Sequence, residues 1–494
     1  MSDNQKRSMA APGITRSKAK AVNAAEEREL YKKREPIYPK LAHGKFRFVK
    51  WVVMAATLAV YYLVPFLRWD RGADAPDQAV LIDFAGRRFY FFFIEIWPQE
   101  VYYITGLLIL AALALFLVTA LFGRVWCGYA CPQTVWTDLF IMVERAFEGD
   151  RNARIKLDRA PWSFNKAWRK VSKHAVWLVI AAATGGAWIL YFHDAYDTLA
   201  NFFTGQAEIS AYLFFAGLTF TTYVLAGTMR EQVCTYMCPW PRIQAAMTDR
   251  EALNVTYRID RGEPRGAHKK NDPWDDRGDC IDCMQCVAVC PMGIDIRDGA
   301  QLECIQCALC IDACDDVMLK VDRPTGLIAY ETDDNIDRFQ AGEKPRYRFV
   351  RIRTLVYAVA LVLVAAVMLA GLLNRTELDL NAARDRNPNY VRLSDGSIRN
   401  GYTVKVVNKA NAPRALELVV DGDPALIVRV LGAADETPMR LNVEADRTRD
   451  FVIYLTLPPG AVDVPREDIM FRVLDPATGE SAQTRSVLVT GLAE

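Results

Sequence analysis

Five long apolar runs, a cysteine pattern written twice in succession and a closing train of short alternating strands predict a multi-domain membrane protein. The expected architecture is a five-helix transmembrane bundle with an inserted two-cluster 4Fe-4S module of bacterial ferredoxin type and a C-terminal immunoglobulin-like β-sandwich. The apolar runs cover about Val49–Trp69, Val101–Phe122, Ala175–Phe192, Ile209–Met229 and Leu355–Leu373, each near the roughly 20 residues a helix needs to cross a bilayer. A shorter aromatic stretch, Phe89–Trp97, suits the membrane interface instead. The polar, basic stretch before Val49 carries no cleavable signal pattern.

Lys and Arg set the orientation. They crowd Lys32–Lys50, Arg124–Lys173 and Lys344–Arg353, whereas the His193–Glu208 loop has none. The Trp69–Glu100 loop dissents mildly with Arg71, Arg87 and Arg88. The positive-inside rule then puts the N-terminus and all twelve cysteines on the cytoplasmic side and the C-terminus outside. A net charge of +1 says little about partners beyond the lipid bilayer, and no nucleic acid is expected among them.

The chain divides accordingly. Residues 1–40 read as a disordered basic arm, with a short helix around Ala24–Lys33. Residues 41–250 hold helices one to four, and 251–345 a cytoplasmic linker and the cysteine-rich module, whose core is 278–321. The fifth helix falls in 346–375 and the sandwich in 376–494. Arg151–Lys173, basic with spaced Ile155, Leu157, Trp162, Phe164 and Trp168, reads either as an interfacial helix or as a solvated basic loop. The sandwich rests on seven alternating segments: Tyr402–Val407, Leu416–Val420, Ala425–Val430, Met439–Val443, Phe451–Leu457, Ile469–Val473 and Gln483–Val489.

All twelve cysteines fall into four tight groups and none follows Cys314, which is not how a disulfide scaffold spends them. CIDCMQCVAVCPM (Cys280–Met292) and CIQCALCIDAC (Cys304–Cys314) repeat the bacterial ferredoxin spacing, in which three cysteines hold one cubane and the fourth serves the other. On that pattern the first 4Fe-4S cluster takes Cys280, Cys283, Cys286 and Cys314, and the second takes Cys304, Cys307, Cys310 and Cys290. Cys314 departs from the pattern in being followed by Asp315, not Pro. Structural zinc sites or a reduced thiol cluster are the alternatives.

The remaining pairs, Cys127/Cys131 and Cys234/Cys238, read C-x3-C-P. On a helix that spacing puts both sulfurs on one face, with Pro132 or Pro239 marking a kink or stop. Four converging thiols would suit a soft ion, notably cuprous copper, or a thiol/disulfide relay. Met237 and Met247 could add thioethers, although a core role suits them better, and buried small apolar cysteines are the bland alternative. Haem is disfavoured: of His43, His174, His193 and His268, the two that bracket the third span lie about 28 Å apart by helical rise. With no flavin or nicotinamide motif evident, electrons are expected from a separate cytoplasmic donor.

GRVWCGYACPQTVW (Gly123–Trp136), VCTYMCPWPRIQ (Val233–Gln244), the doubled cysteine run and RNPNYVRLSDGSIRNGY (Arg386–Tyr402) together resemble the cytochrome c oxidase accessory protein family, CcoG/FixG/RdxA. The resemblance covers nearly everything from about Ile37 onward. It implies a bacterial inner-membrane protein with two 4Fe-4S clusters and a periplasmic immunoglobulin-like domain. It also implies reduction of Cu(II) to Cu(I) for the copper centre of a high-affinity haem–copper oxidase, with Cys127, Cys131, Cys234 and Cys238 as copper ligands or reductants. Oxidase subunits and a copper transporter or oxidase assembly factors are the implied partners. Two other functions compete: a membrane electron-transfer subunit linking quinol or a cytoplasmic donor to another redox partner, and a non-enzymatic assembly scaffold.

Overall fold

The structure, a computed structural model, describes residues 14, 16–23, 35–72, 75–268, 274–410, 412–432, 438–461 and 465–491. The helix expected at Ala24–Lys33 lies outside them. Two compact units emerge: Met1–Leu67 with Gln78–Met368, and Arg68–Asp77 with Leu369–Glu494.

In the first unit, α1 (Lys45–Leu63) leads to a small antiparallel meander of β1 (Val80–Asp83), β2 (Arg88–Phe91) and β3 (Ile94–Ile96). Then come α2 (Tyr102–Phe122), α3 (Val125–Tyr129), α4 (Pro132–Glu148), α5 (Arg151–Arg159), α6 (Phe164–Ile189), α7 (Ala195–Thr204) and α8 (Ile209–Thr222). α8 continues as a wider-wound π segment, Tyr223–Met229. The local starts follow ordinary capping: Ser163 accepts from the Lys166 amide to open α6, and Asp194 accepts from Tyr196 and Asp197 to open α7.

Four helices among the described residues, not the expected five, are long and apolar enough to cross a bilayer: Lys45–Phe66, Pro98–Phe122, Ile209–Met229 and Ile352–Leu373. At most 17% of each apolar window is buried, so their apolar surface awaits another solvent. The expected third span does fold, as α6, but its first half carries Lys166, Arg169, Lys170 and Lys173, and it ends at Ile189, short of Phe192. α6 packs on α8 where Gly185 stands bare; a Cβ there would meet the Phe215 carbonyl at 2.8 Å.

Two further segments take form. The aromatic stretch Phe89–Trp97 supplies β2 and β3, with Tyr90 and Trp97 buried and the Arg88 guanidinium 4.0 Å over the Trp97 ring. Gln78 fastens this meander to the end of α6, donating to the Leu190 carbonyl at 2.7 Å and accepting from the Ala195 amide at 2.8 Å. The arm read as disordered lies, in its described part, along the cysteine-rich module, where the Ser17 amide donates to Cys283 and the Val22 amide to Gly293.

That module begins after α9 (Trp240–Met247). It comprises β4 (Asn254–Tyr257), the turn α10 (Ile259–Gly262), α11 (Gln285–Val289), α12 (Leu309–Lys320) and β5 (Ile328–Glu331), with β4 and β5 paired antiparallel. α13 (Asp333–Gln340) and α14 (Ile352–Leu373) follow.

The second unit is the immunoglobulin-like sandwich. One sheet joins β6 (Leu378–Arg384), β7 (Val391–Arg392), β8 (Ile398–Asn408), β10 (Ile427–Val430) and β12 (Arg447–Leu457). The other joins β9 (Arg414–Asp421), β11 (Met439–Val443), β13 (Arg466–Leu474) and β14 (Ser481–Val489). All seven expected strands are present, and β6 and β7 are additional. Tyr402, Phe471, Leu416 and Ile453 meet in the core, and the Tyr402 hydroxyl is satisfied by the Val487 carbonyl at 3.0 Å.

Arg151–Lys173 forms neither a single interfacial helix nor a solvated loop but α5, a break and the start of α6, and several of its cations are buried. Arg154 lies 2.9 Å from Glu144, which also meets Arg230 at 2.6 Å and Lys173 at 3.6 Å. Lys170 and Lys173 reach Glu148 at 3.0 and 2.9 Å, and Arg47 of α1 reaches Asp138 of α4 at 2.9 Å. Burial alone would raise the Glu144 carboxyl; Arg230, Arg154 and Lys173 outweigh it and hold it below the usual range. Glu144→Ala would strand those cations in the interior. We expect it to cost about 3–5 kcal/mol, read as a lower unfolding temperature in detergent, with Glu144→Gln losing less.

Candidate functional site

The two cysteine loops are built alike. In each, the second and fourth residues after the first cysteine have left-handed backbone: Asp282 and Met284 (φ 51° and 57°) in one, Gln306 and Ala308 (φ 55° and 59°) in the other. None is glycine, so each conformation is held against its preference. Alternating backbone of this kind turns successive amides inward and makes a cradle for an anionic group such as an iron–sulfur cluster. Met284 and Ala308 then cap α11 and α12.

The ends of the loops differ. Cys290 leaves the helical conformation and Pro291 follows, so α11 stops. Asp315 replaces the corresponding proline, and α12 runs on to Lys320 with Cys314 inside it. The Asp315 carboxylate accepts the Gly326 amide at 2.8 Å, which ties that helix to the turn before β5.

Packing of α11 on α12 brings the cysteines together in crossed sets. Cys314 has Cys286, Cys283 and Cys280 as its electrostatic neighbours, whereas Cys290 has Cys307 and Cys304. Cys310 faces Cys307, Cys304 and Cys290 most strongly. Burial pushes Cys304 up to about 11 and Cys290 to about 12, and likewise raises Cys286, Cys310 and Cys314. Thiols so placed become thiolates through cationic iron, not through solvent. Arg297 stands beside the first set, 4.0 Å from the Cys280 sulfur, and is fixed by Asp295 and Asp282.

The residues therefore fit two cubanes. Among the described residues no three His, Cys, Asp or Glu side chains draw close enough to hold a single ion. A tetrahedral zinc would gather its thiolates to about 2.3 Å from one centre, whereas a cubane spreads them over separate corners.

The C-x3-C-P pairs are not helical faces. Cys127 lies on the short helix α3, but Cys131 is extended (φ −62°, ψ 128°), and Pro132 opens α4 instead of stopping a helix. Likewise Cys234 lies on a π turn, Cys238 is extended (φ −80°, ψ 121°), and Pro239 leads into α9. All four cysteines nevertheless line one cavity of about 310 Å³, with Arg124, Trp240 and Ile305. Met237 and Met247 do not line it.

Ile305 belongs to the second cysteine loop, and the contact is close. A Cβ on Gly128, between Cys127 and Cys131, would meet the Ile305 carbonyl at 2.8 Å and the Cys307 Cα at 3.0 Å. Tyr129 donates to the Cys307 carbonyl at 3.3 Å, the Arg124 amide to Gln306 at 2.7 Å, and the Arg124 guanidinium to the Leu302 carbonyl. Gln244, wholly buried, accepts from the Cys127 thiol at 3.1 Å. Burial raises Cys127 to about 11, against the pull of Arg124, and Cys234 to about 12. Gly128, Arg124, Gln244 and Arg297 were not singled out as site residues from the sequence. Gly128, placed between two cysteines, is the one that carried a local signal there.

Comparison with known proteins adds to this geometry. Residues 104–148 match a family model described as a 4Fe-4S binding domain, 229–333 one described as a 4Fe-4S dicluster domain, and 368–491 one described as the IG-like fold at the C-terminal of FixG. The chain is 51% identical over 498 residues to the nitrogen fixation protein FixG of Rhizobium meliloti (strain 1021), with 94% of this chain and 95% of the relative covered. It is 50% identical over 459 residues to protein RdxA of Cereibacter sphaeroides, with 92% and 94% covered. The crystal structure of a FixG-related protein from Vibrio parahaemolyticus aligns with 24% of this chain and 100% of its own length, at 20% identity and a TM-score of 0.21.

The raised thiols set a pH signature. Alkylation needs the thiolate, so the labelling rate of Cys127 should keep climbing about tenfold per pH unit past pH 9, whereas an ordinary thiol levels off near pH 8.5. Mass-spectrometric labelling kinetics read this directly; a plateau near pH 8.5 would mean that the thiol is not desolvated.

Proposed function

Because the chain belongs to the FixG/RdxA family of iron–sulfur oxidoreductases, we propose that its task is to reduce Cu(II) to Cu(I) for the copper centre of a haem–copper oxidase. The observation that carries this reading is the four-cysteine cavity with Ile305 of the second cysteine loop in its wall. The two clusters, when bound, supply single electrons; Cys280, Cys283, Cys286 and Cys314 would hold one, and Cys304, Cys307, Cys310 and Cys290 the other. Cu(II), the substrate, gains one electron and becomes Cu(I), a soft ion that thiolates prefer. Cys127, Cys131, Cys234 and Cys238 bind it by drawing inward. Gln244 orients the Cys127 sulfur, and bare Gly128 keeps α3 against the Cys304–Cys310 loop.

Inner-membrane placement, with the cysteines cytoplasmic and the sandwich periplasmic, follows the Lys and Arg distribution if α6 also crosses. Supporting that crossing, Tyr61 and Tyr62 near the end of α1 both meet Thr184 near the end of α6 at 2.8 Å. A copper transporter or assembly factor, oxidase subunits and a cytoplasmic electron donor are the partners this function needs.

A second reading has its own support. The 104–148 match to a 4Fe-4S binding domain contains just two cysteines, Cys127 and Cys131, and with Cys234 and Cys238 they make the four that a cubane takes. Iron analysis separates the two: the copper reading expects about eight irons per chain, a third cubane about twelve.

Protein reduced beforehand and freed of reductant should convert Cu(II) to Cu(I), followed with a cuprous chelator. Cys127→Ala and Cys234→Ala should each slow this by at least about tenfold while the cluster spectrum stays unchanged. Undiminished turnover in both variants would remove the cavity from the reaction.

A further inference from the structure

We propose that a basic groove beside α11 and α12 is the docking surface for an acidic electron-carrier protein. The groove, about 970 Å³, is walled by the described arm and the start of α5, and its cations include Arg16, Lys18, Lys40, Arg151 and Lys320. A neighbouring hollow of about 320 Å³ shares Lys18 and Arg151 and adds Lys20 and Arg159. Across both, seven Lys and Arg stand against three Asp: Asp150, Asp158 and Asp316. A concavity so unbalanced concentrates a partner of opposite charge and speeds its encounter.

The floor says what kind of partner. Gln285, Val289 and Ala313 line the groove, and each immediately precedes a cysteine of the module: Cys286, Cys290 and Cys314. A partner seated there lies one residue from cysteines of both sets. That proximity serves electron delivery, whereas a lipid headgroup or a small anion would gain nothing from it. The groove shares no lining residue with the four-cysteine cavity, so an incoming carrier and copper would not compete for space. On docking, the reduced carrier loses one electron and the chain gains one; no atom is transferred. Lys40 donates to the Gln285 side chain at 3.0 Å and Arg151 to the Tyr38 carbonyl at 2.7 Å, neutral partners that leave both charges in place, whereas Arg16 pairs with Asp282 and Lys320 with Asp316.

The inference rests on the iron–sulfur reading and is independent of copper. The test uses full-length, cluster-loaded protein in nanodiscs of neutral lipid, with an acidic flavodoxin as the probe and a basic cytochrome c of similar size as the control. Flavodoxin should bind, and binding should weaken about tenfold between roughly 0.05 and 0.3 M salt. The triple variant Lys18→Glu, Lys40→Glu, Lys320→Glu should lower affinity by a further factor of about ten, with cluster absorbance unchanged. If that variant loses its clusters, the Lys→Gln triple replaces it, with a smaller expected drop. The proposal fails if wild-type protein does not bind flavodoxin, if cytochrome c binds equally well, or if the reversed variant binds flavodoxin as before. It fails equally if charge reversal abolishes only attachment to anionic vesicles. Wild-type protein that binds flavodoxin but does not reduce copper would count against the cavity and leave the groove standing.

Discussion

Gly128 lets the backbone of α3 press against the Ile305 carbonyl and the Cys307 backbone, and the arrangement of the first unit hangs on that approach. That approach puts Ile305 of the module in the wall of the four-cysteine cavity. With it, Arg124 can spend its amide on Gln306 and its guanidinium on Leu302, and Tyr129 can reach Cys307. The missing methyl group thus sets how closely α3 approaches the second cysteine loop.

The buried charges impose the second constraint. A carboxylate such as Glu144, almost removed from water, survives only because several cations from different elements converge on it. Those cations come from α5, α6 and the end of the π segment, so the same contacts that neutralise Glu144 fix how these elements meet. Among the apolar faces, the close approach of α6 to α8 at Gly185 adds to that specificity.

How much of this was legible in the sequence depends on the range of the interaction. The seven sandwich strands are written in local alternation and were found; β6 and β7 were missed because Leu378–Arg384 alternates weakly and Val391–Arg392 is too short to show a period. The cysteine loops announce themselves by spacing. α6 is harder to read, because the apolar run from Ala175 shares one helix with a basic first half whose charges are buried by partners far off in the chain. Pro132 and Pro239 were ambiguous in principle, since proline ends one helix and opens the next with equal ease. Gln244 is 117 residues from Cys127, and no local pattern could have joined them.

The left-handed residues of the two loops carry a last consequence. Asp282, Met284, Gln306 and Ala308 each hold a backbone shape that costs about 1–2 kcal/mol for a side chain of any size, repeated at matching positions. Such shapes persist only where something over-determines them, and metal binding that does so becomes part of the folding free energy. Since the Cys304–Cys310 loop is also the surface on which α3 rests, whatever holds that loop in its left-handed shape also holds the seat of α3.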